Sequence, residues 1–236
     1  VGFTASGFPV GLLPMGLHGA HSGGMTDLRT RLAMATVTRA GMRSWAATSG
    51  LAGLAGNIFL ILFYLTARPW QESAGSMGWF GRADDSLVAI QYLALLPVVR
   101  GLGQRLRADT AAGVWTRIGL AAAAAVVGLQ VLLIARIFPF AVQVAPVTVC
   151  AVASVCWAGA ISSAGERLGA LPAPVSRLGR VLGVGLPIGL AVFLLGFLLA
   201  LLTGPSWLWV VGAMPGFAVW FLFPVWTLLL AAPVRS

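Results

Sequence analysis

Six apolar runs, each near the ~20 residues that cross a bilayer at 1.5 Å rise per residue, constrain this chain more than any other feature. They cover Ala46–Ala67, Asp85–Gly103, Val114–Ala135, Phe140–Ser162, Arg180–Leu202 and Trp207–Ala231. A water-soluble domain needs far more charge to cover its surface. Of the 236 residues here, 59% are hydrophobic and 9% charged, and the mean hydropathy is +0.94. The sequence therefore predicts an all-α, polytopic integral membrane protein, a bundle of six transmembrane helices spanning about 46–67, 85–103, 114–135, 140–162, 180–202 and 207–231. The second span is the shortest. Its Pro97 is expected one turn from the end, where a proline is tolerated because the helix is about to stop.

The arginines set an orientation. All fifteen basic residues are Arg, and with no Lys a Schiff-base chemistry is excluded. With the amino terminus cytoplasmic, the inner segments hold Arg29, Arg31, Arg39, Arg43, Arg100, Arg105, Arg107, Arg117, Arg167, Arg177, Arg180 and Arg235. Only Arg68, Arg82 and Arg136 fall outside. The acids divide evenly, Asp27, Asp109 and Glu166 inside, Glu72, Asp84 and Asp85 outside. The positive-inside rule then places both termini in the cytoplasm. The stretch from Arg68 to Arg107 carries this choice, since an outer loop rich in acids and aromatics (Trp70, Glu72, Trp79, Phe80) leads through the second span to Arg100, Arg105 and Arg107. Heavy Ala, Gly, Val and Leu usage with Arg in place of Lys is the coding bias of a GC-rich genome, and points to a bacterial cytoplasmic (inner) membrane. A net charge of +9 would suggest nucleic acid in a soluble protein. Here it sits in short loops beside headgroups, with no basic run carrying stacking aromatics, and no nucleic-acid partner is expected.

Tryptophan supports the same layout. Trp45, Trp115 and Trp226 fall at inner boundaries and Trp70, Trp79, Trp207 and Trp209 at outer ones, as an interfacial belt requires. Trp157 and Trp220 lie deeper and read as packing residues. Small residues recur at close-packing intervals: Gly50, Gly53 and Gly56, with Ala52 and Gly56 a small-xxx-small pair; Gly185 and Gly189 around Pro187, then Gly196; Gly212 and Gly216 around Pro215. Such faces let helix backbones approach. Packing within the chain is the simpler use, and a homo-oligomer or membrane-protein partner the other. Pro146, Pro187, Pro215 and Pro224 predict kinks. Spans one to three show no similarity to spans four to six, so no inverted-repeat transporter is supported.

Residues 1–45 hold no span. The first 24 are Gly-rich, are broken by Pro9 and Pro14, and lack the pattern of a secretory signal peptide; Val1 as an alternative start and Met25 as initiator both fit. Thr26 to Arg43 is basic and suits a short helix on the inner membrane surface, with Leu28, Leu32 and Met34 toward lipid. His18 and His21, flanked by Met15 and Met25, have the spacing of a soft-metal pair. In a Gly-rich tail they read as part of a disordered segment, and no metal site is expected. Cys150 and Cys156 lie on different helix faces, six residues being about 240° of turn, and read as small buried hydrophobes.

Chemistry at depth is sparse. The six runs contain no His, and as bounded here no carboxylate inside the hydrocarbon layer. That excludes haem held by two spans, a zinc protease, a cation-dependent phosphotransferase and a Ser–His protease. Neither enzyme activity nor a cofactor is expected. The polar residues that remain gather toward the outer side: Asp84 and Asp85 at the start of the second span, Gln91 below them, Gln130 and Arg136 on the third, Gln143 opening the fourth, and Asn57 and Tyr64 on the first. They fit a polar vestibule for a ligand, with Arg136 paired to Asp84 or Asp85. They also fit an N-cap, a snorkelling Arg and amides bonded between helices. Asn57 is the strongest candidate for an interhelical hydrogen bond. Three functions follow: a non-enzymatic bundle that binds a partner or senses a small ligand or lipid, a small-solute transporter or permeation subunit, and, least supported, a lipid-acting enzyme using Glu72, Asp84 and Asp85.

Overall fold

The computed structural model describes the backbone of residues 23–67, 79–204 and 207–233, and the side chains of 40–66, 79–140, 142–204 and 211–233. The described residues form six α-helices and no strand: α1 (Gly23–Ala67), α2 (Trp79–Arg105), α3 (Thr110–Ile134), α4 (Phe140–Arg167), α5 (Ala173–Thr203) and α6 (Trp207–Ala231). Val1–Arg39 and Ala40–Ser236 are two separate compact units, and everything below concerns the second. His18, His21, Trp70 and Glu72, and the side chains of Leu28, Leu32, Met34, Trp207 and Trp209, lie outside the described residues. Each helix carries a stretch long and apolar enough to cross a membrane: Ala40–Thr66, Trp79–Arg105, Thr110–Ile134, Val142–Arg167, Ala173–Thr203 and Val211–Ala231. The all-helical, six-span architecture is the one the apolar runs predict.

Several helices outrun their apolar runs, because hydropathy marks the thickness of the lipid and backbone hydrogen bonding marks the helix. α2 starts at Trp79 rather than Asp85 and continues to Arg105, so Pro97 sits in its interior and not one turn from its end. α5 starts at Ala173 rather than Arg180. Pro172 is its N-cap and Pro174 lies in its first turn, where the missing N–H is one the helix would leave unpaired anyway. Its 31 residues span about 46 Å at 1.5 Å each, well over the ~30 Å hydrocarbon layer. The surplus puts Arg177 and Arg180 at its start, both exposed.

α2 through α6 pack in chain order, each on the next, and α1 packs on α2 and α6. An aromatic cluster lies in the core. Trp157 of α4 meets Trp226 of α6 edge-to-face, centroids 5.6 Å apart at 88°, and Phe223 stacks on both Trp226 and Tyr92 of α2. Trp226 therefore departs from its expected place in the interfacial belt. It is fully buried, and its indole Nε1 donates to the Val175 carbonyl of α5 at 3.2 Å, so the N–H that would otherwise seek the headgroup layer is satisfied inside. Trp45 and Trp79 are exposed, as a belt requires.

The glycines bring backbones together within the chain. A Cβ at Gly183 would stand 2.7 Å from the Gly159 Cα, joining α5 to α4, and one at Gly189 would stand 2.7 Å from the Gly216 nitrogen of α6. Gly212 abuts the Val192 carbonyl, Gly185 abuts Val219, and Gly50 and Gly53 abut Pro224. The small-residue faces considered for a partner are thus engaged by neighbouring helices of the same chain. Where α2 meets α3 and α4 meets α5, Arg167 pairs with Asp109 at 2.6 Å and Arg180 with Glu166 at 2.8 Å.

Candidate ligand-binding site

At the opposite end of the bundle, where α1, α3 and α5 finish and α2, α4 and α6 begin, all six helices border one cavity of about 360 Å³. Leu60 and Tyr64 come from α1, Asp84, Asp85 and Val88 from α2, and Gln130 from α3. α4 contributes Gln143 and Val147 among others, α5 Leu186 and Phe193, and α6 Ala213, Phe217 and Trp220. Gly189 and Gly216 also border it, so the close approach of α5 and α6 forms part of its wall. An apolar lining with a few convergent polar groups is the usual make-up of a small-molecule site.

The longer α2 changes the standing of the two aspartates. With the helix starting at Trp79, there is no acid in its first turn, and neither Asp84 nor Asp85 is an N-cap. Both lie more than a turn inside a candidate span, half-buried and bordering the cavity. On the longer α2 the pair thus lies within a candidate span rather than at its first residues. Gly56 accounts for part of the accommodation: a Cβ there would stand 3.2 Å from the Asp84 Oδ1, so the absence of a side chain on α1 leaves room for the carboxylate. Among the described residues bordering the cavity none is cationic.

Gln130 and Gln143 meet as the sequence suggested. Gln143 Nε2 donates to Gln130 Oε1 at 3.0 Å, tying α3 to α4, and both residues are buried at 5% and 2% exposure. The bond uses one half of each amide. The Gln143 Oε1 and the Gln130 Nε2 have no hydrogen-bond partner among the described residues, and both amides border the cavity.

The remaining candidates lie elsewhere. Arg136 is exposed in the α3–α4 turn with φ of 58°, a left-handed conformation that reverses the chain there, and among the described residues no ion pair joins it to Asp84 or Asp85. Gln91 is buried at 2% exposure deeper on α2, packed where Gly53 leaves space. Asn57 is buried too, but its Nδ2 has no partner, so the interhelical bond expected of it is not made by that group. Sequence reasoning missed Phe193, Phe217 and Trp220, because an aromatic facing a cavity and one facing lipid are the same residue type in an apolar run. No protein-family model, curated protein or solved structure matches this chain.

Proposed function

We propose that this chain is a non-enzymatic, multi-pass membrane protein that binds a small apolar or amphipathic molecule in the cavity bordered by all six helices. One observation carries the reading: within a bundle otherwise tightly packed, a space of about 360 Å³ is kept open and faced by polar groups that packing alone does not call for. Interiors of this kind normally fill to crystal-like density. Binding is favoured over permeation by what lies toward the other end. Leu95, Val98, Val99 and Leu102 of α2, with Trp157, Leu182 and Trp226, are all 0% exposed and set packed apolar side chains across the described bundle there.

The orientation belongs to the same proposal. Exposed Arg43, Arg100, Arg105, Arg107, Arg117, Arg167, Arg177 and Arg180 support a cytoplasmic placement of the end away from the cavity, in a bacterial inner membrane, with the cavity toward the outside. The test is whether the cavity retains a molecule. Native mass spectrometry of the protein released from nanodiscs is expected to show a bound small mass on the wild type that is lost in Val147→Trp, which fills the space. The same spectrum from both proteins, with no retained mass, would overturn the reading.

A further inference from the structure

We propose that the cavity selects a positively charged ligand: an ammonium group on an apolar body, held between Asp84 and Asp85. This rests on the reading of the cavity as a binding site and adds the chemical class of what it holds. A carboxylate in a water-poor, apolar surrounding is costly unless paired or protonated. Here two neighbouring carboxylates border one cavity, and no described residue bordering it is a cation. A cationic ligand supplies the positive charge that the described wall lacks.

Three further features fit an ammonium rather than a neutral guest. The Gln143 Oε1 has no donor among the described residues, although its residue is 2% exposed, and Gln143 borders the cavity, where that oxygen is an acceptor for an N–H. Tyr64, Phe193, Phe217 and Trp220 border the cavity, and a cation over an aromatic face is attracted by its quadrupole. The rest of the wall, Leu60, Val88 and Val147 among it, suits a hydrocarbon body. An anion meets the reverse: two like charges and no counter-charge.

The experiment holds the body constant and varies the charge. The probes are 2-phenylethylammonium, 2-phenylethanol and 3-phenylpropanoate, each a phenyl ring on a two-carbon chain, measured by equilibrium dialysis on the full chain in phosphatidylglycerol nanodiscs. Only binding removed by Val147→Trp is counted, which subtracts partition into lipid. The cation is expected to bind about tenfold or more tighter than the alcohol, the scale of one charge-assisted hydrogen bond, and the anion least. In the Asp84→Asn/Asp85→Asn double variant, whose side chains keep their size and whose thermal unfolding checks that it folds, the cation's advantage is expected to vanish. Equal binding of the three probes, tighter binding of the anion, or an advantage that survives the double substitution overturns the cation proposal and leaves the cavity reading standing. Failure of every probe, together with a mass spectrum that Val147→Trp does not change, removes both. The ammonium has two sources, a soluble amine or a phospholipid headgroup. Adding phosphatidylethanolamine to the nanodiscs separates them: competition with the cation assigns the lipid, absence of competition the soluble amine, and either supports the charge selection.

Discussion

Asp109 concentrates two jobs in one carboxylate. It caps α3, its Oδ1 accepting the Ala112 N–H at 3.0 Å, while its Oδ2 accepts from Arg167 Nη2 at 2.6 Å. The Arg167 bond first, then the α3 backbone, holds its carboxyl below the usual range. A carboxylate whose folded pKa is depressed contributes stability above its unfolded pKa, about 3.9, and loses it as pH falls through the folded value. Asp109→Asn keeps a capping oxygen and removes the charge. Wild type is therefore expected to unfold at higher temperature than Asp109→Asn at pH 7. The gap should hold down to about pH 4, then close on further acidification. Thermal unfolding in detergent across pH 3 to 7, values of about the range set by that reference pKa, checks this. A gap that widens in acid would show that the charge opposes folding. Arg136 makes the complementary point at this scale: the same residue type, at the other end, is set by its left-handed backbone and not by an acid.

At the scale of the element, the bundle depends on where helices are allowed to touch. Gly159 and Gly183 face each other so closely that a Cβ on either would stand within 2.7 Å of the other's Cα, and backbone cannot swing aside as a side-chain tip can. Gly183→Ala is expected to cost about 1–3 kcal/mol by forcing α4 and α5 apart. Gly128 of α3 is the control, since nothing lies within 4 Å of its Cβ position. There the exchange is expected to be neutral or to stabilise by up to about 1 kcal/mol through helix propensity. Equal effects at the two sites, measured by denaturant titration in mixed micelles, would refute the close contact as the reason for glycine. Elements of this kind were legible in advance where the signal is local: six apolar runs gave six helices, and the bounds of α6 agreed at both ends. The start of α2 was not legible, because Trp79 to Asp84 is polar enough to read as loop while its backbone stays helical. From that one displacement followed the mistaken role for Asp84 and Asp85. The Gln130–Gln143 pair was readable because buried amides have few alternatives to one another. The aromatic half of the cavity wall was hidden among identical lipid-facing residues.

For the molecule as a whole, the ends of unit Ala40–Ser236 differ in a way that lipid headgroups and translocation both read. The end holding the α2–α3 and α4–α5 turns exposes eight arginines, Arg43, Arg100, Arg105, Arg107, Arg117, Arg167, Arg177 and Arg180, beside Asp109 and Glu166. The cavity end, among the described residues, carries Arg82 and Arg136 beside Asp84 and Asp85. In the proposed orientation, short loops with such an excess of arginine stay on the cytoplasmic side and the cavity faces outward. Two single cysteines decide it, in a chain whose native Cys150 and Cys156, both half-buried in α4, are replaced by Ser. Ala108 is exposed in the α2–α3 turn and Ile137 in the α3–α4 turn, at opposite ends of α3. Ser176 is unsuitable because it is fully buried in α5. A membrane-impermeant maleimide applied to intact cells is expected to label Ile137→Cys, and to reach Ala108→Cys only after permeabilisation. The opposite pattern would put the cavity on the cytoplasmic face and draw its ligand from inside the cell. The arginines would then sit on the side where the positive-inside rule says they do not, and some other force would have to hold the bundle in that orientation.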